Sequence, residues 1–491
     1  MSSLPESAVY EKVVELSKRR GFYWQSFSIY GGMGGLYDYA PLGVLLRDNI
    51  TKAWKEAFLR LGAIAIDTPT LTPEVVFRAS GHIERFFDLA VTCSNCRESF
   101  KVESLLKEHG IKPSMILEYS DLNKINDAGI RCPNCGGKFQ SIENFSLMYK
   151  VLGRSDEKSP MYLRPETAQG VFVNFRNLFS VNRERIPMMV MQLGKGYRNE
   201  IAPRQSLVRL RELLMGEVEV YTDPDAASYT PSMAEKLTLL DQNGDEHHLT
   251  ASEAVENGLI GTSEMGFFIE QVFDVLRSVG IDISRLRFRK HTKDELSHYS
   301  KETWDAEFLM DTDWIEITGI ADRGTFDLEQ HMKMSGADFT VNGREGRFTP
   351  RVYEPAFGID RIFLMTLVSA YRERENGFKL LSLKREIAPY HCAVLPLQKK
   401  DGIDTFAKEL FNTIRMVDPY ILYDDSGSIG RRYARQDEIG TPYCITVDYD
   451  SLNDRTVTIR ERDSTKQIRI AADIIADLGI FSAADSGFRT S

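Results

Sequence analysis

The sequence has no apolar run near the roughly 18 residues that crossing a bilayer requires, so no membrane association is expected. Six cysteines in 491 residues are too few for a disulfide scaffold. Internal repeats and low-complexity tracts are both missing, and Met1–Lys18 lacks the cationic start and apolar core of a secretory signal. Basic residues are not in excess. The 61 Lys and Arg stand against 71 Asp and Glu, a formal charge of −10, which argues against a protein that coats nucleic acid indiscriminately. A nucleic-acid partner is still compatible with that charge, because binding depends on a local basic face. What remains is a globular composition, 42% hydrophobic and 27% charged, long enough for about three domains at roughly 150 residues each. The expectation is a cytoplasmic enzyme.

Helical spacing marks Tyr10–Arg20 and Gly43–Leu61, the latter with Leu45, Ile50, Trp54, Phe58 and Leu61 on one stripe and Gly62 as a stop. Ala63–Pro69 reads as a strand. Within Glu212–Tyr221 the two faces differ: Leu214, Gly216, Val218 and Val220 share one, and Leu213, Met215, Glu217 and Glu219 share the other. Residues 222–283 mix polar and helical stretches and read as an insertion. Beyond Gly377 strands and helices alternate, which suggests a small α/β domain. The expected division is 1–90 and 146–386 for a catalytic core, 91–145 for a metal-binding insert, and 387–491 for the C-terminal domain.

Four cysteines form two Cys-x-x-Cys turns, Cys93-Ser-Asn-Cys96 and Cys132-Pro-Asn-Cys135. Each turn can aim two thiolates at one ion, and together they complete a closed tetrahedral shell suited to structural zinc. The 35 residues from 97 to 131 exceed the usual zinc-ribbon gap, so a helix is expected there, for which Ser104–His109 is the candidate. Cys392 and Cys444 lie in apolar stretches and are expected to be buried.

Three stretches carry charge that folding alone does not require. Gly196–Glu217 is a strand–loop–strand with Arg198, Arg204, Arg209 and Arg211, and guanidinium groups bind phosphate through a two-pronged fork. Trp314–Arg323 places Glu316 on a strand face, where a carboxylate can hold magnesium; alternation puts Ile315 and Ile317 on the opposite face. Glu354–Phe363 opens a helix at Gly358 with Arg361 on its first turn. A solvated hairpin, an exposed sheet face or a surface helix could explain any one of these alone. Their joint occurrence, in this order, points to a nucleotide triphosphate.

These stretches resemble the signature motifs of class II aminoacyl-tRNA synthetases, with Gly43–Pro69 similar to the dimer-forming first motif. The nearer resemblance is to the homodimeric glycyl-tRNA synthetases. It runs through Ile29–Gly32, Ala79–His82, Arg164–Gly170, Tyr197–Glu217, Trp304–Glu307, Gly319–Arg323, Glu354–Arg361 and Arg431–Pro442. It implies an α+β catalytic domain on an antiparallel sheet with a zinc insert, followed by a C-terminal α/β anticodon-binding domain. The implied reaction joins glycine to tRNA(Gly) through glycyl-adenylate, with ATP and Mg2+ as the substrate complex and a homodimer as the assembly.

Carried over by position, Arg198 and Arg361 would be catalytic. ATP would meet Arg198, Asn199, Glu200, Val208, Arg209, Leu210, Arg211, Glu212, Leu213, Glu316, Ile317, Gly358 and Arg361. Glycine would meet Glu166, Glu217, Glu354 and Ala356, while Glu316 would hold magnesium. Two positions depart from the family pattern: Leu213 replaces an aromatic residue that stacks on adenine, and Ala356 replaces a serine. In the C-terminal domain, the locally basic runs Gly430–Arg435 and Arg455–Arg462, with Tyr433, suit phosphates and splayed bases. The alternatives are a class II synthetase for another small amino acid and a non-catalytic paralogue that binds nucleic acid.

Overall fold

The computed structural model describes residues 7–111, 120–151, 160–201, 203, 205–297, 299–343 and 346–490. Arg204 lies outside the described residues.

A nine-stranded sheet carries the centre of the molecule. In chain order its strands are β1 (Ile64–Ala65), β2 (Met188–Tyr197), β3 (Glu212–Thr222), β4 (Leu237–Leu240), β5 (Glu246–Leu249), β6 (Leu286–Lys290), β7 (Glu302–Met310), β8 (Asp313–Gly324) and β9 (Arg351–Gly358). Their spatial order is β5-β4-β6-β7-β8-β9-β3-β2-β1. Two pairs, β1 with β2 and β4 with β6, are parallel, and the rest are antiparallel. Residues 222–283 extend this sheet with β4 and β5, and their helix residues Phe268, Ile269 and Val272 join the central core.

One face of the sheet packs on helices α1 (Pro41–Arg60), α2 (Ser263–Ser278) and α3 (Ile359–Ala370). α1 forms because Pro41 starts it and Leu42, Leu46, Ile50, Trp54 and Phe58 recur at four-residue spacing, all buried. The core face of β3 is that of Val218 and Val220, and Gly216 admits Trp54 so closely that an added Cβ would lie 2.8 Å from the indole. The opposite face is covered at one end by the helices Ala168–Phe172, Phe175–Val181 and Phe326–Ser335, which bury Val190 and Tyr221. At its other end that face opens into a cavity.

Ile315 and Ile317 pack with the central core, on the face opposite Glu316 as expected. A bulge in the β7–β8 pairing matches Ala306 with Thr318 and Glu307 with Glu316, leaving Ile317 as the extra residue. At the bulge Ile317, 1% exposed, also borders the cavity beside Glu316. Simple alternation cannot anticipate a bulge, which re-aims the chain locally.

Between β1 and β2 the chain builds a three-stranded sheet from Phe87–Cys93, Ser99–Lys101 and Phe139–Ser146, with the helix Val102–Glu108 inside the inter-cysteine segment. This unit has its own core, including Val91, Phe100, Leu105, Leu106, Ile125 and Phe139. The C-terminal part forms a five-stranded sheet in the order Ile421–Tyr423, Cys392–Pro396, Tyr443–Val447, Thr456–Glu461 and Gln467–Ala471. The first three are mutually parallel, the last two antiparallel, and Cys392 and Cys444 are buried in it. Arg374 bridges to it by donating to Asp437, at 3.1 Å. Among the described residues, no helix is long and apolar enough to cross a membrane.

Candidate functional site

The open end of the sheet is a cavity of about 410 Å³. Its wall includes Glu166, Arg198, Glu200, Val208, Arg209, Leu210, Leu213, Glu217, Glu316, Ile317, Glu354, Ala356, Gly358 and Arg361. These come from segments up to 195 positions apart in the chain (361 − 166), and all were singled out from sequence. Asn199, Arg211 and Glu212 are not brought to the wall. Asn199 donates its backbone N–H to the Leu147 carbonyl. Glu212 sits on the β3 face opposite Leu213 and pairs with Lys195. Arg211 is spent as a brace: its guanidinium donates to the Glu200 carbonyl at 3.2 Å and the Gly34 carbonyl at 3.3 Å.

The two arginines expected to act together do converge. Arg361, on the first turn of α3, donates Nε to the Val208 carbonyl at 2.9 Å and Nη1 to the Glu316 carbonyl at 2.7 Å. The same Nη1 lies 3.2 Å from the Glu316 carboxylate. Arg198 lies over the Phe86 ring, 5.7 Å from its centroid, and donates weakly to the Pro165 carbonyl. Burial raises the Glu316 carboxyl, but Arg361 and Arg198 outweigh it, so the group is held below the ordinary carboxylate range. Both cations therefore act on one carboxylate. Val208, Leu210 and Leu213 give this end of the cavity an apolar wall beside the charges.

The deeper end is organised by a residue that sequence reasoning left without a role. Arg323, 1% exposed, forms a two-pronged pair with Asp327 at 2.7 and 2.9 Å and donates to Glu354 at 2.8 Å. It approaches Glu166 to 3.9 Å and stacks 3.8 Å from the Tyr299 ring centroid. Glu217 accepts the Thr167 N–H at 2.7 Å and the Thr167 hydroxyl. Glu166 accepts from Gln169 at 3.0 Å and lies 3.5 Å from His82.

These carboxyls do not share one environment. Burial opposes charge on Glu166, yet His82, Arg323 and Gln169 hold it well below the usual range. Burial and then Glu166 push the Glu217 carboxyl up, against the Thr167 contacts. Burial likewise pushes Glu354 well up, with Glu217 and Glu166 adding to it and Arg323 opposing. Three carboxyls thus crowd one pocket with too few cations, an arrangement that a small ammonium group would relieve. Thr167, Gln169 and His82 belong to the segments 164–170 and 79–82 that carry the family resemblance; that was the signal available for them.

The insert brings all four cysteines of the paired turns together. Their sulfurs lie within 4.8 Å of one another, with Cys93 3.5 Å from Cys135 and Cys96 3.6 Å from Cys132. The group could hold a metal ion.

An anticodon binding domain family matches residues 391–478. The chain is 37% identical to the glycine–tRNA ligase of Methanothrix thermoacetophila, with 96% of each chain covered. It is 35% identical to the glycine–tRNA ligase of Methanocaldococcus jannaschii, over 96% of this chain and 98% of that one. Among solved structures, it is similar to Giardia lamblia prolyl-tRNA synthetase in complex with prolyl-adenylate, with a TM-score of 0.63 over 96% of this chain and 75% of that one. Sequence identity there is 13%, so that likeness concerns the fold.

Proposed function

The chain belongs to the glycine–tRNA ligase family of class II aminoacyl-tRNA synthetases, and from that premise we propose how its cavity activates glycine. The enzyme attaches glycine to tRNA, and its C-terminal part is an anticodon-binding domain. ATP occupies the end bounded by Arg198, Arg361 and the Val208–Leu213 wall, with Arg198 on the α-phosphate and Arg361 on the γ-phosphate. Glu200 meets adenine, Leu213 supplies an apolar surface for the base in place of an aromatic ring, and Arg209 lies near the phosphates. Glu316 holds Mg2+, which when bound neutralises phosphate charge.

Glycine lies deeper, its ammonium group among Glu166, Glu217 and Glu354. Its carboxylate oxygen attacks the α-phosphorus in line, the bond to pyrophosphate breaks, and glycyl-adenylate forms. The side chains act by positioning and by neutralising charge rather than by moving protons. The glycyl group then passes to the terminal ribose of tRNA(Gly), with AMP released. A glycine site needs no editing domain, because every competing amino acid is larger and can be excluded by bulk. With alanine at 356 rather than serine, the ammonium relies on the carboxylates and not on a hydroxyl at that position.

The four cysteines hold structural zinc. A tetrahedral thiolate shell with Zn–S near 2.3 Å places sulfurs roughly 3.8 Å apart, close to the spacings of 3.5 and 3.6 Å. The division of labour is a core of residues 1–90 and 146–386 carrying an insertion at 222–283, a zinc insert at 91–145, and an anticodon-binding domain at 387–491. The enzyme works as a cytoplasmic homodimer.

The observation that carries this reading is the Glu166–Glu217–Glu354 cluster, its last two members buried, in the wall of the same cavity as Arg198 and Arg361. The test is ATP–pyrophosphate exchange with each amino acid in turn. Glycine alone should support exchange; exchange with serine or proline but not glycine would overturn it.

A further inference from the structure

The face of β3 that carries Glu217 continues inward to Glu219, which is not part of the cavity wall. Register places it opposite a second carboxyl. β3 pairs with β9 so that Glu217 meets Ala356 and Val220 meets Tyr353, and the same register sets Glu219 against Glu354. Glu219 is fully buried, and neither of its carboxyl oxygens has a hydrogen-bond partner among the described residues. Glu354, by contrast, accepts from Arg323 at 2.8 Å.

An ionised carboxylate in that position would be buried, unpaired and directly across from a like charge. Each of those conditions is costly, and they are relieved together when the group is neutral. The surroundings offer no compensation. From β9 comes Glu354 and from Glu219's own strand Glu217, with Tyr221 beside it on that strand. The β2 residue opposite is Val190. Among the described residues the cation acting on it is Arg323 from β8, which is committed to Asp327 and Glu354.

We propose that Glu219 is a positioning residue that carries a proton in the working enzyme, so that its cross-strand neighbour Glu354 keeps its negative charge for the glycine ammonium group. The inference rests on the glycine-pocket reading above and deepens it. Burial pushes both carboxyls well up, and the bond from Arg323 to Glu354, which Glu219 lacks, decides which of the two keeps the proton. The two carboxyls behave as one pair holding one proton between them. The arriving ammonium draws charge to Glu354 and leaves the proton on Glu219.

The test is infrared spectroscopy of the full-length enzyme at neutral pH, with and without glycine. Wild type should show the carbonyl stretch of a buried protonated carboxyl, persisting when glycine is bound, and Glu219→Gln should lose it. In pyrophosphate exchange, Glu219→Ala should raise the glycine KM several-fold while leaving the ATP KM alone, and Glu219→Gln, neutral and similar in shape, should restore most of the loss. Glu219→Met serves for the spectrum if the glutamine variant does not fold. A band that survives in these variants, or a glycine KM raised about tenfold or more by Glu219→Gln, overturns the proposal. Glu354→Gln separates the two levels of argument. If it leaves the glycine KM unchanged, the pocket reading and this inference both fall; if it raises the KM while the band survives in Glu219→Gln, the inference alone fails.

Discussion

Arg361 reaches from the first turn of α3 to Glu316 on β8, 2.7 Å from its carbonyl and 3.2 Å from its carboxylate. The contact ties the arginine to the carboxylate proposed for magnesium, so both face the same end of the cavity. Arg361→Ala should lower glycine-dependent pyrophosphate exchange by about 10²-fold or more, the scale for removing one preorganised charge from a transition state. Its side chain is partly exposed, so the melting temperature should hardly move. Near-normal exchange would contradict its role.

Arg323 should behave in the opposite way. It is buried against Asp327 and Glu354, and removing it leaves two carboxyls without their cation. Arg323→Leu is expected to cost about 3–5 kcal/mol, the range for breaking a buried pair from one side. Arg323→Lys should recover little, because one ammonium cannot reproduce the two-pronged contact with Asp327 together with the bond to Glu354. Denaturant unfolding measures both; a lysine variant as stable as wild type would refute the account.

The acid limb of stability should depend on Asp448. Arg469 and the Ser451 contacts outweigh partial burial and hold its carboxyl down at about 2. Arg469 donates to it at 2.8 and 2.9 Å. The folded value is below the unfolded value of about 3.9, so the contribution is complete above about pH 4 and fades as pH falls toward 2. Asp448→Asn should be less stable than wild type at neutral pH, with the gap closing on acidification. An equal gap at pH 7 and pH 2.5 would contradict this.

Chelation should remove about one zinc ion per chain and loosen residues 91–145. Hydrogen exchange should report the loss first in Phe87–Cys93 and Phe139–Ser146, strands that share a core with Cys93 and Cys132. Purified protein without bound metal, or exchange that does not change on chelation, would remove the zinc assignment.

Part of the cavity wall could be read from local pattern, and Glu166, Glu354 and Ala356 came only from the family resemblance. Two-residue alternation separates Glu217 from the core face of β3, and the helical stripe on α3 leaves Arg361 outside the buried set. Arg323 could not be given its role that way, because its partners Glu166, Asp327, Glu354 and Tyr299 come from separate segments that only the fold assembles. Arginine density around residue 204 also hid a division of labour. Arg198 and Arg209 reach the cavity, whereas Arg211 braces Glu200 and Gly34, and sequence spacing does not distinguish a ligand from a brace. The bulge at Ile317 was not legible for a similar reason, since it is defined by pairing with β7.

Glycine and ATP should meet in one cavity, ammonium toward the glutamates and phosphates toward the arginines. The most direct measurement is a crystal structure with a non-hydrolysable glycyl-adenylate analogue. The account predicts the ammonium nitrogen within hydrogen-bonding distance of Glu166, Glu217 or Glu354, and the phosphate mimic against Arg198. An analogue bound with its ammonium away from all three carboxylates would contradict it.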